Sequence, residues 1–210
     1  RNIKKGEIVS EKDLYYSMPL QEGQVSVAEI DLFVGKCLDI DINKDEPALI
    51  EQCYDNEELL FMQNIKKSTL HMLEKLNVPI ANVQQIEISA HYGLKNFLKT
   101  GAVIISKVNR EYCKKLIILN AKQSHPVHHH VKKDETFELL HGDCELTLNG
   151  KKINLKRGVP ILIPRGVNHS FKSKIGCVIE EISTTHYKGD SIYEDPEIFK
   201  RQVYERKFYI

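Results

Sequence analysis

Residues 125–142 read HPVHHHVKKDETFELLHG, and this stretch decides how the rest of the chain is understood. Four of the chain's nine histidines, His125, His128, His129 and His130, fall within six residues, and Glu135 follows five positions later. In an extended strand, residues two apart share a face. His128 and His130 therefore aim one way and His129 the other. Glu135 opens the next strand after a short turn and can reach the same centre, while Gly142 makes the hairpin that follows. A second stretch, 158–169, reads GVPILIPRGVNH and sets a further imidazole, His169, at the start of a strand after a tight turn. Three imidazoles and a carboxylate suit a divalent metal of borderline hardness (Zn, Mn, Fe, Co or Ni), with positions left open for water or substrate. His125, ahead of Pro126, and His129 are set outside this ligand group. His71 reads as a surface residue.

The surroundings of both stretches are β-prone. From Val83 onward, short apolar runs recur at 86–89, 102–106, 115–119, 135–140, 144–148, 152–155, 160–163, 169–172 and 177–183, with one small helix at 94–99. Asn149-Gly150 is a strong hairpin signal. Many short strands at regular spacing predict a sandwich or a closed barrel. Ahead of them, Leu59, Leu60, Phe61, Met62, Ile65, Leu70, Met72, Leu73 and Leu76 recur near helical spacing between Asn56 and the breaker Pro79. One linking helix is expected there. Residues 1–54 form a separate unit of short pieces: a capped turn at Ser10–Leu14, an amphipathic segment ending at Gly35, and an alternating run at Leu38–Ile42. The expected division is 1–54, a helical linker at 55–83, and a metal-binding barrel at 84–210.

Composition narrows the classes. A net charge of +1 excludes a nucleic-acid binder driven by bulk charge. No apolar run approaches the ~20 residues of a membrane-spanning helix. The five cysteines are odd in number and form no CxxC pair, as in a chain kept reduced in the cytoplasm. Residues 1–54 hold 6 Lys/Arg against 11 Asp/Glu, so the remainder is basic, a shift that fits a domain boundary.

The two histidine stretches match the two-part cupin signature in residue type and spacing, except that Lys122 stands where a glycine usually precedes the first histidine. The resemblance implies a double-stranded β-helix, mainly β in an α+β whole, with His128, His130, Glu135 and His169 on the metal. The stretches 91–142 and 180–198, the latter containing EEISTTHYKGDSIYEDPEI, resemble the D-lyxose isomerase-like cupins. In that group a lysine two residues before the metal-binding glutamate, and a glutamate on a late strand before a Ser-Thr pair, shuttle protons. Carried over, these are Lys133 and Glu181. Strand alternation puts Glu181 with Ile179 and Ser183 and sends Glu180 the other way. His186, Tyr187 and Asp190 follow and are read as a substrate-binding rim or a surface loop. Lys133 can equally be a solvated turn lysine, and Glu181 a structural carboxylate.

The pattern NIKKGEIVSEKDL…MP…SVAEIDLFVGKCLDIDINKDEP resembles the C-terminal antifreeze-like (SAF) domain of bacterial sialic acid synthases. That domain follows a TIM barrel and lends an arginine to the neighbouring subunit's substrate site. Met18 stands at that position here. The resemblances imply a metal-dependent sugar isomerase acting in nonulosonic (sialic acid-like) glycan synthesis on a sugar or sugar-acid substrate. They also imply a homodimer and, upstream of Arg1, a TIM-barrel synthase domain. The alternative is a non-catalytic sugar-binding or oligomerising module of such a synthase.

Overall fold

A computed structural model describes residues 1–21, 23–80 and 86–210. The expected linker–barrel boundary at 83/84 lies outside the described residues. The chain divides into two compact units, 1–68 with residue 210, and 69–209. Among the described residues, no helix is long and apolar enough to cross a membrane.

In the first unit, strands β1 (Cys37–Leu38) and β2 (Cys53–Tyr54) pair antiparallel. Short 3-10 turns replace the expected helical pieces, at Glu11–Asp13 and Val27–Leu32. Ser10 and Asp13 reciprocally cap the first of these, as their spacing predicts. The expected strand at 38–42 is reduced to β1 plus a single bridge between Ile42 and Ile3. The unit closes over Ile3, Val9, Phe33, Leu38, Ile42 and Cys53.

The helix predicted from the Leu/Met stripe forms as α1 (Asn56–Lys75), and the division between units falls within it. Leu59, Met62, Ile65, Thr69 and Leu73 are its buried residues, a three-four spacing that marks one face. It stops before Pro79. Asn77 adopts φ 51°, its N–H donates to the Glu74 carbonyl, and the Val78 N–H donates to the Leu73 carbonyl. This is the Schellman arrangement, with asparagine in the left-handed position.

The second unit is antiparallel β. Its strands are β3 (Ile86–Ser89), β4 (Ala102–Asn109), β5 (Tyr112–Leu119), β6 (Ser124–His130), β7 (Glu135–Gly142), β8 (Glu145–Leu148), β9 (Lys151–Asn154), β10 (Ile161–Ile163), β11 (His169–Lys172), β12 (Cys177–Thr184), β13 (Ser191–Tyr193) and β14 (Lys207–Tyr209). Among the described residues, one sheet has the order β10-β7-β12-β5-β4-β3-β14 and the other β13-β6-β11-β8-β9. Phe137, Leu139, Ile117, Leu119 and Ile179 of the first sheet and Leu146 and Phe171 of the second share one core. The predicted small helix is a single 3-10 turn at Leu94–Asn96. A short helix, α2 (Pro196–Phe199), is capped by Asp195.

Two local features shape the barrel around the site. Asn149 and Gly150 both have positive φ, 44° and 81°, the conformation a two-residue hairpin needs. Lys122, at the position where the cupin signature carries glycine, adopts φ 62°. The lysine accepts a left-handed conformation that glycine would take without steric cost.

Candidate metal centre and adjoining cavity

The β6–β11 pairing sets the centre. His128 lies opposite His169, and His125 opposite Phe171, so three steps on β6 meet two on β11. This extra residue is a β-bulge, and it breaks strict alternation. His125, His128 and His130 consequently all face inward and are buried. The sequence expectation for His125 is therefore corrected: it is buried inside the barrel, stacked on Phe171 at 4.6 Å between ring centroids. His129 lies on the other face, as expected, with its Nδ1 3.0 Å from Asn168 Oδ1.

His128, His130 and His169 present nitrogen atoms within 4.8 Å of one another. Backbone carbonyls fix two of the rings. His128 Nδ1 donates to the Pro126 carbonyl at 3.1 Å, and His169 Nδ1 to the Val167 carbonyl at 3.0 Å. That leaves each Nε2 facing the centre with a lone pair, the tautomer a metal ligand requires. Glu135 closes the group. Its Oε1 is 3.2 Å from His130 Nε2, and its Oε2 is 3.1 Å from His169 Nε2. Glu135 Oε2 and His169 Nε2 are nonetheless both buried without a hydrogen-bond partner, since in this tautomer each is an acceptor facing the other. Acceptor atoms converging with no proton between them are what a shared cation would satisfy, so these four residues fit a divalent metal. Burial, followed by the neighbouring imidazoles, holds His128 well below the usual histidine range, which keeps it neutral. Burial works against the charge on Glu135, but His130, His169 and Lys133 more than offset it and hold its carboxyl well below the usual range.

Behind the centre stands Asp190. Its Oδ1 accepts from the N–H groups of Val131 and Lys132, and its Oδ2 is 3.7 Å from His130 Nδ1. The 186–190 segment, read from sequence as a rim, is thus divided by the structure. His186 lines the cavity. Asp190 is buried behind a histidine of the centre, away from the cavity wall. Tyr187 is half-exposed, with Lys132 Nζ 5.1 Å above its ring.

Lys133 is the link between the metal centre and the cavity. Its Nζ lies 2.5 Å from Glu135 Oε1 and 2.9 Å from Glu181 Oε1, and the side chain is 2% exposed. It is not a solvated turn lysine. Burial alone would lower its pKa, but Glu181 and Glu135 on either side raise it above the ordinary lysine value, so it is a fixed ammonium. Glu181 Oε1 also accepts from Ser183 Oγ at 2.8 Å. Glu180, on the opposite face of β12, pairs with Lys114 at 2.8 Å.

The cavity wall carries further polar residues that sequence reasoning missed. Lys115 on β5 lies opposite Glu181 in register, with its Nζ 3.8 Å from Glu181 Oε1. Its signal was available, since Cys113, Lys115 and Ile117 share the inward face of one strand. Glu87 on β3 and Lys207 on β14 pair at 2.9 Å across neighbouring strands drawn from the two ends of this unit. Nothing local in sequence relates them. His91 Nε2 contacts Tyr193 Oη at 2.8 Å and Ser89 Oγ at 3.2 Å.

Residues 115–175 match the cupin domain family. An uncharacterized protein of Aquifex aeolicus (strain VF5) is 34% identical over 73 residues, which make up 34% of this chain and 60% of that protein. The chain thus spans less than two thirds of that relative's length. Among solved structures, L-ribose isomerase of Geodermatophilus obscurus superposes with a TM-score of 0.57 at 15% identity, covering 68% of this chain and 93% of that one. A variant L-ribose isomerase of Acinetobacter sp. DL28 in complex with L-ribose gives 0.56 at 14%, with the same coverage. The Cellulomonas parahominis L-ribose isomerase with L-ribose gives 0.52 at 15%, covering 60% and 88%. Taken with the two-sheet architecture, the chain carries a cupin domain whose fold resembles that of the L-ribose isomerases.

Proposed function

We propose that the second unit is a metal-dependent aldose–ketose isomerase. The observation that carries this reading is the Glu135–Lys133–Glu181 chain, a buried ammonium joining a metal-centre carboxylate to a second, cavity-facing carboxylate. His128, His130, Glu135 and His169 would hold the metal. A divalent cation there would supply positive charge beside the carbonyl and hydroxyl oxygens of a sugar.

The chain's own residues supply the proton chemistry. Glu181 is held by Ser183 and Lys133 through one oxygen, which leaves the other for substrate. That oxygen takes the proton from the carbon bearing the hydroxyl, giving an enediolate, and returns it to the former carbonyl carbon. The fixed ammonium of Lys133 would stabilise the negative charge that develops on the sugar oxygens, while the hydroxyl proton passes from one adjacent sugar oxygen to the other. No atom is gained or lost, as isomerisation requires. The inward-facing His186 and Lys115 would contact the remainder of the sugar.

The first unit is read as an antifreeze-like domain on its sequence pattern, which would connect the isomerase to sialic acid-like glycan synthesis beside a TIM-barrel synthase. Pairing through barrel sheets would make a homodimer. The reading is tested by incubating the Mn²⁺-loaded protein with a panel of aldopentoses and aldohexoses and following ketose by chromatography. One aldose should convert to equilibrium. No conversion across neutral and acidic sugars with any of Zn, Mn, Fe, Co or Ni would refute it.

A further inference from the structure

Strand β12, which carries Glu181, lies between β5 and β7 in its sheet. A cation reaches Glu181 from each side. Lys115 of β5 stands opposite it in register, with Nζ 3.8 Å from Glu181 Oε1. Lys133, in the short connection between β6 and β7, approaches the same oxygen to 2.9 Å, and Ser183 Oγ donates to it at 2.8 Å. Three groups thus converge on Oε1, and among the described residues none reaches Oε2.

These contacts belong to a longer row in which charge alternates. Lys207 pairs with Glu87 at 2.9 Å, Lys115 with Glu181 at 3.8 Å, and Lys133 with both Glu181 and Glu135. Three ammonium groups thus balance three carboxylates along the cavity wall. Burial pushes Lys115 below the ordinary lysine value, and Glu181 is the strongest of the groups that oppose this, ahead of Glu87. At 3.8 Å the contact is too long for a hydrogen bond, so Lys115 acts on Glu181 by charge. Its partner on the other side works differently. Lys133 is shared with Glu135, so its pull on Glu181 is directed toward the metal centre. A carboxylate with Lys133 as its lone cation gains most by turning both oxygens onto it, which withdraws Oε2 from the cavity.

We propose that Lys115 is a positioning residue for the proton transfer: its charge offsets the pull of Lys133 and holds the Glu181 carboxylate centred between β5 and β7, with one oxygen anchored and the other free in the cavity. The proposal rests on the isomerase reading for the step that the free oxygen performs; the orientation itself is a property of the cavity wall. The stem of Lys115 lines the cavity, and its ammonium acts through Glu181.

The test pairs kinetics with crystallography on the metal-loaded protein. With the aldose that the wild type converts, Lys115→Met should lower kcat by about 10–100-fold, the cost of misplacing a reacting group. Methionine keeps an unbranched stem along the wall, so KM should stay within about twofold, the split expected when ground-state binding is intact. Ethylammonium should restore kcat of Lys115→Ala by at least about tenfold, whereas propanol, which fills similar space without charge, should not. The crystal structure of Lys115→Met, or of Lys115→Ala if the first variant does not fold, should show both Glu181 oxygens within hydrogen-bond distance of Lys133 Nζ. An unmoved carboxylate, an unchanged kcat, or equal rescue by propanol would overturn the proposal. If the wild type converts no aldose, the isomerase reading fails alone, and the crystal structure still decides whether Lys115 orients Glu181.

Discussion

Asp190 stands behind His130, with Oδ2 3.7 Å from Nδ1, both atoms buried and both without a hydrogen-bond partner. A small inward movement of the His130 ring would turn this contact into a hydrogen bond that fixes the ring and increases its basicity as a ligand. Asp190→Asn should therefore weaken metal affinity by about 10–100-fold while the isolated variant keeps the native fold. Competition with a chelator of known affinity measures this. An unchanged affinity would separate Asp190 from the metal centre.

Lys133 holds two buried carboxylates apart. Removing one partner of a buried ion pair leaves uncompensated charge, which costs about 3–5 kcal/mol. Lys133→Met should destabilise the metal-free protein by that order in urea unfolding. A loss below about 1 kcal/mol would mean that the ammonium is not what neutralises Glu135 and Glu181.

Much of the site was legible from spacing alone. The i, i+2 relation placed His128 with His130, and the same two-residue period allowed only one of Glu180 and Glu181 to face inward, while the choice of Glu181 came from the resemblance to the D-lyxose isomerase-like cupins. His125 was misjudged because a bulge at Pro126–Val127 shifts the period, and a bulge leaves no mark in an apolar–polar pattern. His186, Tyr187 and Asp190 looked like one rim because they are close in sequence. Pairing of β13 with β6 instead draws Asp190 behind His130 and leaves Tyr187 outside. The Glu87–Lys207 pair was beyond reach, since strand β14 returns from the chain's end to lie against β3.

Lys122 is a conformational weak point. A non-glycine residue at φ 62° costs roughly 1 kcal/mol or more relative to glycine. Lys122→Gly should raise the unfolding temperature of the second unit, partly offset by glycine's larger loss of freedom on folding. Differential scanning calorimetry reads the sign, and a lower Tm would show that the lysine side chain contributes more than its backbone strain costs.

The buried histidines set the pH response. His91 and His125 are held well below the ordinary value of 6.5 by burial, and His186 lies at about 3. Above about pH 6.5 neither the folded nor the unfolded chain protonates them, and stability is complete. As pH falls from 6.5 toward 3, the unfolded chain gains protons that the folded chain refuses, so stability is lost. Glu87 and Glu135 lie below the usual carboxylate range and do not titrate between pH 5 and 6.5. The Tm of metal-free protein should thus be lower at pH 5 than at pH 7.5, and His186→Gln should narrow the difference. An equal or higher Tm at pH 5 would contradict the burial of these rings as neutral groups.

The central claim is that Glu181 moves a proton between adjacent carbons of a sugar bound beside the His128–His130–Glu135–His169 centre. Proton NMR of the converted aldose in D₂O, with metal-loaded wild type and Glu181→Gln compared at equal metal content, tests it most directly. The account predicts ketose carrying solvent deuterium at the former carbonyl carbon for wild type, and a rate at least about 100-fold lower for the variant. Ketose formed by Glu181→Gln at the wild-type rate would contradict it.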